Sequence, residues 1–320
     1  MKFILIPVIS VAIFFVIAFA LILSQPPKGF SSDQTLDFPT GGSSAEVSEL
    51  ETFTARDGAT LGYRDIAGTG AGDMLLVHGS GWHGAAYEPL ARAISEQCGY
   101  RVIVPDLRGH GPLADPRGDV AYVGQMEDDL ADLMDHLDLG DAVFAGHSSG
   151  GGLVIRFAGG EHASRMTRAV LIAPFLKYNA PTARETSVWA QPLTRRIVGL
   201  SMLNAVGIRA LNGLTAIEFN LPPSVRETEQ GQSATASYSY RLNTGYAPRS
   251  DYLADIAALP PFLLLAGSED AAFRPDQYEP VMSGATDNGT YEILPGLGHL
   301  GVLDAPETTE AVARFLNCGP

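Results

Sequence analysis

The stretch FAGHSSGGGL, at residues 144–153, constrains the fold of this chain more than any other segment. The apolar run that leads into it is suited to a buried strand, and the residues after it can continue as a helix. Between the two lies the pattern Gly-x-Ser-x-Gly, in which Ser148 stands two residues from both Gly146 and Gly150. A strand, a sharp turn and a helix in this order indicate that Ser148 lies on a strained turn and can act as a nucleophile. The flanking glycines are required because side chains there would strike the neighbouring strand and helix.

Apolar runs alternate with amphipathic segments along most of the chain. From Glu51, two strand-like runs flank a turn at Asp57 and Gly58 and predict a hairpin. Strands that alternate with helices imply a mostly parallel sheet covered on both faces, and roughly 270 residues suffice for one α/β domain. The runs that predict further strands lie at 73–79, 100–106, 141–146, 168–174, 261–267 and 291–296.

One long segment interrupts this alternation. Residues 176–260 show no strand pattern but contain helix-like stretches, such as the one at 192–211. A segment of this length in a compact domain is rarely a bare loop. We therefore predict a helical cap, inserted at about residues 176–250, that roofs the carboxyl ends of the strands.

The N-terminal residues form an apolar run, at 3–23, that contains no charge. A helix of these 21 residues would be roughly 31 Å long, enough to cross a bilayer. We favour an uncleaved transmembrane helix over a cleaved signal peptide, for which Ala18 and Ala20 supply the small-residue pair, because the run exceeds the usual signal core. Lys2 and the terminal amine precede the run, whereas Lys28 alone follows it, and this difference in positive charge favours an N-terminus on the inside. The protein is then membrane-anchored with its catalytic domain on the extracytoplasmic side, or secreted if the segment is cleaved.

The segment between the apolar run and the domain, residues 24–50, is rich in Pro, Ser and Gly. Its few apolar residues show no periodicity, so it predicts a flexible linker. We therefore divide the chain into an anchor or signal segment at 1–23, this linker, and a domain at 51–320.

The charge of the chain excludes some partners. Its 36 Asp and Glu residues outnumber 21 Lys and Arg, which gives a formal net charge of -15. Nucleic acids bind basic patches, so we expect no nucleic-acid partner. No group of His, Cys and Asp has the spacing of metal ligands, and we expect neither a metal nor a cofactor.

A serine becomes a useful nucleophile only when a base takes its proton and a third group holds that base. Both follow Ser148 in the chain. Glu269 and Asp270 come directly after a buried strand, where carboxylates can reach a crevice at the open edge of a parallel sheet. We choose Asp270 as the acid and His299, in a glycine-lined loop after the last strand, as the base. The order of the three, each after a predicted strand, argues against a chance arrangement.

Attack on a carbonyl creates an oxyanion that needs backbone N–H donors, each contributing about 3 kcal/mol. The residue after the nucleophile, Ser149, supplies one. The second is expected in the loop VHGSGWHG at residues 77–84, where we choose the N–H of Ser80, with Gly81 as the competing donor. Trp82 either lines the substrate pocket or packs under the cap.

Five segments in this order carry a resemblance: VHGSGWHG, VPDLRGHG, AGHSSGGG, LLLAGSED and LPGLGHLGVLDAPE. Together they resemble the α/β-hydrolase superfamily, in particular its monoglyceride lipase-like and serine aminopeptidase-like branch, over residues 51–317. The resemblance implies the α/β-hydrolase fold, with a mostly parallel central sheet, helices on both faces and an inserted cap. It also implies the roles of five residues: nucleophile Ser148, base His299, orienting acid Asp270, and backbone donors Ser80 and Ser149.

The resemblance further implies that the helix after VHGSGWHG and the final helix pack on the same side of the sheet. Cys98 ends the first of these helices and Cys318 follows the second. We therefore predict a disulfide between them, outside the cytoplasm, with two unrelated buried thiols as the alternative.

These observations together predict a serine hydrolase that cleaves carboxylic esters through an acyl-enzyme, like a carboxylesterase, lysophospholipase or monoacylglycerol lipase. The cap is rich in Leu, Ile, Val and Ala, which favours a small-molecule ester with an apolar acyl group. An amide or peptide hydrolase of aminopeptidase type would use the same triad. A non-catalytic hydrolase-like binding module is a further alternative, which the intact triad argues against.

Overall fold

The computed structural model of the chain describes residues 2–31, 35–38 and 47–318, and for residues 2–8 it describes the backbone alone. The strands are β1 Glu51–Thr54, β2 Thr60–Ile66, β3 Asp73–Val77, β4 Arg101–Pro105, β5 Ala142–His147, β6 Met166–Ile172, β7 Ala190–Pro192, β8 Thr215–Phe219, β9 Ser237–Ser239, β10 Phe262–Gly267 and β11 Gly289–Leu294. The helices are α1 Lys2–Leu23, α2 Glu88–Cys98, α3 Gln125–His136, α4 Ser149–Ala158, α5 Thr194–Ala205, α6 Pro223–Arg226, α7 Glu229–Gln232, α8 Tyr240–Gly245, α9 Tyr252–Ala257, α10 Tyr278–Met282, α11 Gly301–Asp304 and α12 Pro306–Leu316, with short 3₁₀ turns at Gly84–Tyr87, Ala163–Arg165 and Pro275–Gln277.

A central sheet organises the domain, with its strands in the order β1-β2-β4-β3-β5-β6-β10-β11. The hairpin β1–β2 is antiparallel, as is the β2–β4 pair, and all the remaining pairs are parallel. The predicted mostly parallel central sheet is therefore confirmed. Because the strands from β3 onward are parallel, their carboxyl ends meet at one edge, and the loops after β3, β5, β10 and β11 gather there.

Both faces of the sheet are covered, as the apolar strands require. Along β5, Phe144 belongs to the core on one face, where it packs with Leu153 of α4. Its neighbour Val143 belongs to the core on the other face, which includes Ile94 of α2 and Val312 of α12. Alternate residues of one strand thus supply two separate cores, and these hold the sheet edge rigidly beneath the loops.

The cap between β6 and β10 is only partly helical. It contains α5 to α9, but also a three-stranded antiparallel sheet in the order β7-β8-β9. The predicted helical cap is therefore present only in part, because the prediction missed these three strands. The cap strands have three, five and three residues, and the β8–β9 register shifts between Thr215 and Ile217, so no alternation long enough to recognise develops in the sequence.

The N-terminal helix α1 packs against the cap helix α5. Ala18 and Ile22 are almost completely buried there and form a small cluster with Leu200 and Leu203. The helices approach closely because Gly199 has no side chain: a Cβ at this position would lie 2.5 Å from the carbonyl oxygen of Ala18. The second half of α1 is thus attached to the cap.

The sequence predicted that residues 3–23 form a membrane-spanning helix. Within the part of the chain that the structure describes, we find no helix with both the length and the apolar character needed to cross a membrane. That prediction is not supported, and the contacts observed for α1 are with the protein itself.

Parts of the segment predicted as a flexible linker, residues 24–50, have defined contacts. The backbone N–H of Gly29 donates a hydrogen bond to the Glu218 carboxylate of the cap, at 2.7 Å. Leu36 is only 5% exposed and belongs to the main core. The linker prediction is therefore wrong for these residues, because their side chains and backbone groups have partners in the folded domain.

Cys98 and Cys318 form a disulfide, with Cα atoms 4.9 Å apart. The bond joins the end of α2 to the residue that follows α12, and both helices cover the same face of the sheet. The predicted disulfide is confirmed. It closes a loop with a sequence separation of 220 residues and so ties the C-terminus to the domain.

Candidate active site

Ser148 lies on the turn between β5 and α4, in a backbone conformation that side chains rarely adopt. Its φ is 53° and its ψ is -123°. The turn is tight enough that a Cβ at Gly146 would lie 2.6 Å from the Gly150 oxygen, and one at Gly150 would lie 2.4 Å from the His78 oxygen. The Ser148 N–H donates to the Ile172 carbonyl at 2.9 Å, which fixes the turn to the next strand. The strain and the glycines together present the serine hydroxyl at the sheet edge.

The structure brings together the three side chains that the sequence selected. The Oγ of Ser148 lies 3.0 Å from Nε2 of His299, and Nδ1 of His299 lies 2.8 Å from Oδ2 of Asp270. The other oxygen of Asp270 accepts hydrogen bonds from the N–H groups of Ala272 and Phe273, at 2.7 and 2.9 Å. All three residues are buried: Ser148 is 5% exposed, His299 is 1% exposed and Asp270 is 0% exposed.

The charge state of Asp270 follows from its surroundings. Burial tends to raise the pKa of its carboxyl group, but the charge and hydrogen bond of His299 and the two backbone N–H groups outweigh burial and hold the pKa below its ordinary value. An ionised carboxylate accepts only, so Nδ1 of His299 carries the proton and Nε2 is free to accept the serine proton. Glu269, the other carboxylate considered, is exposed and does not join this line.

Backbone N–H groups flank the serine as well. The N–H of Gly81, the competing donor, already donates a hydrogen bond to the Tyr238 hydroxyl at 2.6 Å. For the described residues, neither the N–H of Ser80 nor that of Ser149 makes a hydrogen bond. These two N–H groups therefore remain available to an oxyanion next to Ser148.

A chain of hydrogen bonds that the sequence did not reveal ends at the backbone carbonyl of His299 and helps to hold this residue in place. The N–H of Gly79 donates to the Tyr87 hydroxyl at 2.8 Å, and this hydroxyl lies 2.8 Å from Nδ1 of His147. On its other side, Nε2–H of His147 donates to the backbone carbonyl of His299 at 2.9 Å. Burial, and then the neighbouring His299, lower the pKa of His147 to about 3, so its ring stays neutral. The signal in the sequence is the histidine inside Gly-His-Ser.

Aromatic side chains surround the loop that carries Ser80. Trp82 is partly buried, stacks on His83 with ring centroids 5.8 Å apart, and lies 6.4 Å from the Phe38 ring. Trp189 of the cap donates its Nε1–H to the Ser80 hydroxyl at 2.9 Å. The Trp82 ring therefore packs between His83 of its own loop and Phe38 of the N-terminal segment. Trp189 and Phe38 were missed because the sequence assigned them to a helical cap and a flexible linker.

The acid loop has its own aromatic neighbours and a tie to the cap. The ring of Phe273 packs edge-to-face on His299, with ring centroids 5.3 Å apart. The ring of Phe175 lies on Phe273, with ring centroids 6.0 Å apart. The guanidinium of Arg184 donates to the backbone carbonyls of Asp270 and Phe273, at 2.6 and 2.9 Å. The start of the cap thus holds the loop that carries the carboxylate.

Comparisons with known proteins agree with this fold. The family described as Hydrolase_4: Serine aminopeptidase, S33, matches residues 70–305, well over half of the chain. The chain therefore belongs to this family and is a hydrolase of the α/β-hydrolase superfamily.

Individual relatives are esterases, lipases and haloperoxidases. The chain is 37% identical over 120 residues to the non-heme chloroperoxidase CPO-A1 of Kitasatospora aureofaciens, a match that covers 38% of this chain and only 42% of that relative. A thermophilic esterase from Thermogutta terrifontis is 26% identical, with a TM-score of 0.58 over 84% of this chain and 98% of its own. A monoacylglycerol lipase from Paleococcus ferrophilus, at 20% identity and a TM-score of 0.61 over 80% and 98% of the two chains, has the same fold.

Proposed function

We propose that this protein is a serine esterase that cleaves carboxylic esters with an apolar acyl group, with Ser148, His299 and Asp270 as its catalytic triad. The observation that carries the proposal is the continuous line from the Asp270 carboxylate to the Ser148 hydroxyl, with distances of 2.8 and 3.0 Å. The esterase and lipase neighbours support the same reading.

The geometry gives each group a role. As Ser148 Oγ forms a bond to the ester carbonyl carbon, its proton passes to Nε2 of His299, and the oxyanion accepts hydrogen bonds from the N–H groups of Ser80 and Ser149. Asp270 stabilises the imidazolium. The carbonyl then re-forms, the C–O bond to the alcohol breaks, and His299 gives its proton to the departing alkoxide. A water molecule, deprotonated by His299, attacks the acyl-enzyme in the same way and releases the acid, with the proton returning to Ser148.

The surroundings of the site favour an apolar substrate. Trp82, Trp189, Phe38 and Phe273 present aromatic surface around the two loops that meet at Ser148. Such surface suits an acyl chain or ring more than the charged terminus of a peptide. We therefore place esters before the amides and peptides that the same triad could cleave.

The test uses the full-length protein, p-nitrophenyl esters of increasing acyl length and a fluorophosphonate. We expect ester hydrolysis, and one covalent phosphonate adduct that peptide mass mapping assigns to Ser148. Faster cleavage of matched p-nitroanilides would favour an amide hydrolase instead. A protein that is folded by circular dichroism but reacts with neither esters nor the fluorophosphonate would contradict the proposal and favour a binding module.

We also propose that the domain lies outside the cytoplasm and is held at a membrane surface by α1. The disulfide between Cys98 and Cys318 supports the location, since such bonds persist in oxidising compartments. Exposed apolar side chains on α1, among them Val11, Ile13 and Val16, support the membrane contact. In cells lysed with an alkylating agent, we expect the protein in the membrane fraction with both cysteines protected until reduction. Soluble protein with alkylated cysteines would contradict this proposal.

A further inference from the structure

Residues 35–38, here called the strap, lie against the loop that carries the base. Oδ1 of Asp37 accepts a hydrogen bond from the N–H of Leu300 at 2.9 Å, and Oδ2 accepts one from the N–H of Gly301 at 2.8 Å. These N–H groups belong to the two residues directly after His299. The carboxylate therefore holds the backbone on which the base depends.

The residue before His299 is adapted to the same contact. A Cβ at Gly298 would lie 2.2 Å from Oδ2 of Asp37, so only glycine lets the carboxylate come this close. Asp37 itself is exposed, but the strap is fastened beside it by Leu36, which is buried in the main core. Both flanks of His299 are thus in contact with one side chain from the N-terminal segment.

The other end of the strap reaches the opposite side of the site. The Phe38 ring lies 6.4 Å from Trp82 and 5.8 Å from Trp189, measured between ring centroids. Trp82 follows Ser80 by two residues, and Trp189 is hydrogen-bonded to the Ser80 hydroxyl. Phe38 therefore packs on the loop that offers an oxyanion donor, while Asp37 binds the loop that offers the base.

The strap consequently bridges the loop that carries the base and the loop that offers an oxyanion donor. Ser148 itself is only 5% exposed, so little of the site is open to solvent. An aromatic ring packed on the donor loop limits how much acyl surface fits there, because cores and pockets respond to changes of even one methylene.

We propose that the strap is a working part of the active site, in which Asp37 is a positioning residue for His299 and Phe38 is a specificity-determining residue that limits acyl length. The proposal rests on the esterase function proposed above. It names no further substrate class, but assigns the size of the acyl pocket to a segment that lies outside the sequence motifs of the domain.

Phe38→Ala in the full-length protein tests the pocket wall. We expect the ratio of kcat/KM for long-chain over short-chain p-nitrophenyl esters to rise by about tenfold or more, because the deletion opens space beside Trp82. Phe38→Trp should shift the preference toward shorter chains. Phe315→Ala, which removes another partly buried ring on α12, is the matched control and should keep the wild-type profile. Unchanged profiles in both Phe38 variants would overturn the role of Phe38.

Asp37→Ala tests the positioning role, with kcat expressed per active site titrated by the fluorophosphonate burst, so that unfolded protein is not counted. We expect kcat to fall by about tenfold or more with KM little changed, since displacement of the base affects the reaction more than binding. Asp37→Asn keeps one acceptor oxygen but turns an N–H₂ group toward the other backbone N–H, so it should recover only part of the loss. Asp287→Ala removes an exposed carboxylate elsewhere and is the control. Equal kcat in Asp37→Ala and wild type would overturn this role.

The two proposals fail in different ways. If the wild type cleaves esters and the strap variants match it, the strap proposal alone is wrong. If the wild type cleaves no ester, the esterase proposal is wrong, and the strap is judged by the rate at which Ser148 reacts with fluorophosphonates of increasing alkyl length, where the same shift is expected. A protein inert toward both reagents would overturn both.

Discussion

Ser148→Ala is expected to lower kcat for p-nitrophenyl ester hydrolysis by about 10⁴–10⁶-fold, the range typical for loss of the nucleophile in a serine triad. Without Oγ no acyl-enzyme can form, and water must attack the ester directly with help only from the two backbone donors. The variant should also lose its fluorophosphonate adduct. Binding should change little, since only one oxygen atom is removed.

Removing a serine hydroxyl should have this effect only at the elbow. Ser283→Ala, at an exposed position after α10 where Oγ donates to the Glu279 carbonyl, is the matched control and should retain wild-type kcat. The melting temperature of Ser148→Ala should be equal to or above that of the wild type, because the substitution removes a buried hydroxyl and leaves the backbone of the turn unchanged. Activity that survives in Ser148→Ala would show that another group carries out the reaction.

The elbow and the hydrogen-bonded line from Ser148 through His299 to Asp270 could be predicted because each of these residues has a local signal. Ser148 lies between an apolar strand and a helix, and the glycines beside it are forced by contacts with atoms a few residues away or on the adjacent strand. Asp270 and His299 each follow a strand of a parallel sheet, so the fold alone brings them to one edge. Once the order of the strands is recognised, it is enough to predict that Asp270 and His299 lie close together.

The contacts that hold these groups in place could not be predicted in this way. Asp37 meets Leu300 across a sequence separation of 263 residues, and neither residue has a local pattern that points to the other. Composition marked the segment around Asp37 as a linker, because Pro, Ser and Gly there outweigh the apolar pair Leu36 and Phe38. Two isolated apolar side chains show no periodicity, so the sequence gives no sign that this segment packs on the domain.

The pairing of the cap strands could not be predicted either. These three short strands pair with one another across sequence separations that periodicity cannot detect. Trp189, which lies just before the first of them, reaches the active site through its hydrogen bond to the Ser80 hydroxyl. Sequence patterns therefore located the chemistry, whereas the walls of the pocket depend on how the cap and the strap fold back over it. For this reason the predicted reaction is better determined than the predicted substrate.

Asp270→Asn is expected to lower kcat by about 10⁴-fold while the protein remains folded. The amide oxygen that this substitution introduces can still accept from Ala272 and Phe273, so the loop should keep its shape and the melting temperature should change little. The new N–H₂ group, however, can donate to Nδ1 of His299. That places the imidazole proton on Nε2, where it faces the serine hydroxyl and prevents His299 from acting as a base.

The matched control for this substitution is the neighbouring carboxylate. Glu269→Gln makes the same chemical change at an exposed side chain outside the hydrogen-bonded line, and its kcat should stay within a few-fold of the wild type. The pair of variants also tests the choice that the sequence left to judgement. If Glu269→Gln loses activity and Asp270→Asn retains it, the acid that orients His299 during catalysis is Glu269, and the 2.8 Å contact between His299 and Asp270 is structural. The opposite result assigns the role to Asp270: its charged carboxylate, whose pKa His299 and two backbone N–H groups hold below the ordinary value, keeps the base in the one tautomer that can accept the serine proton.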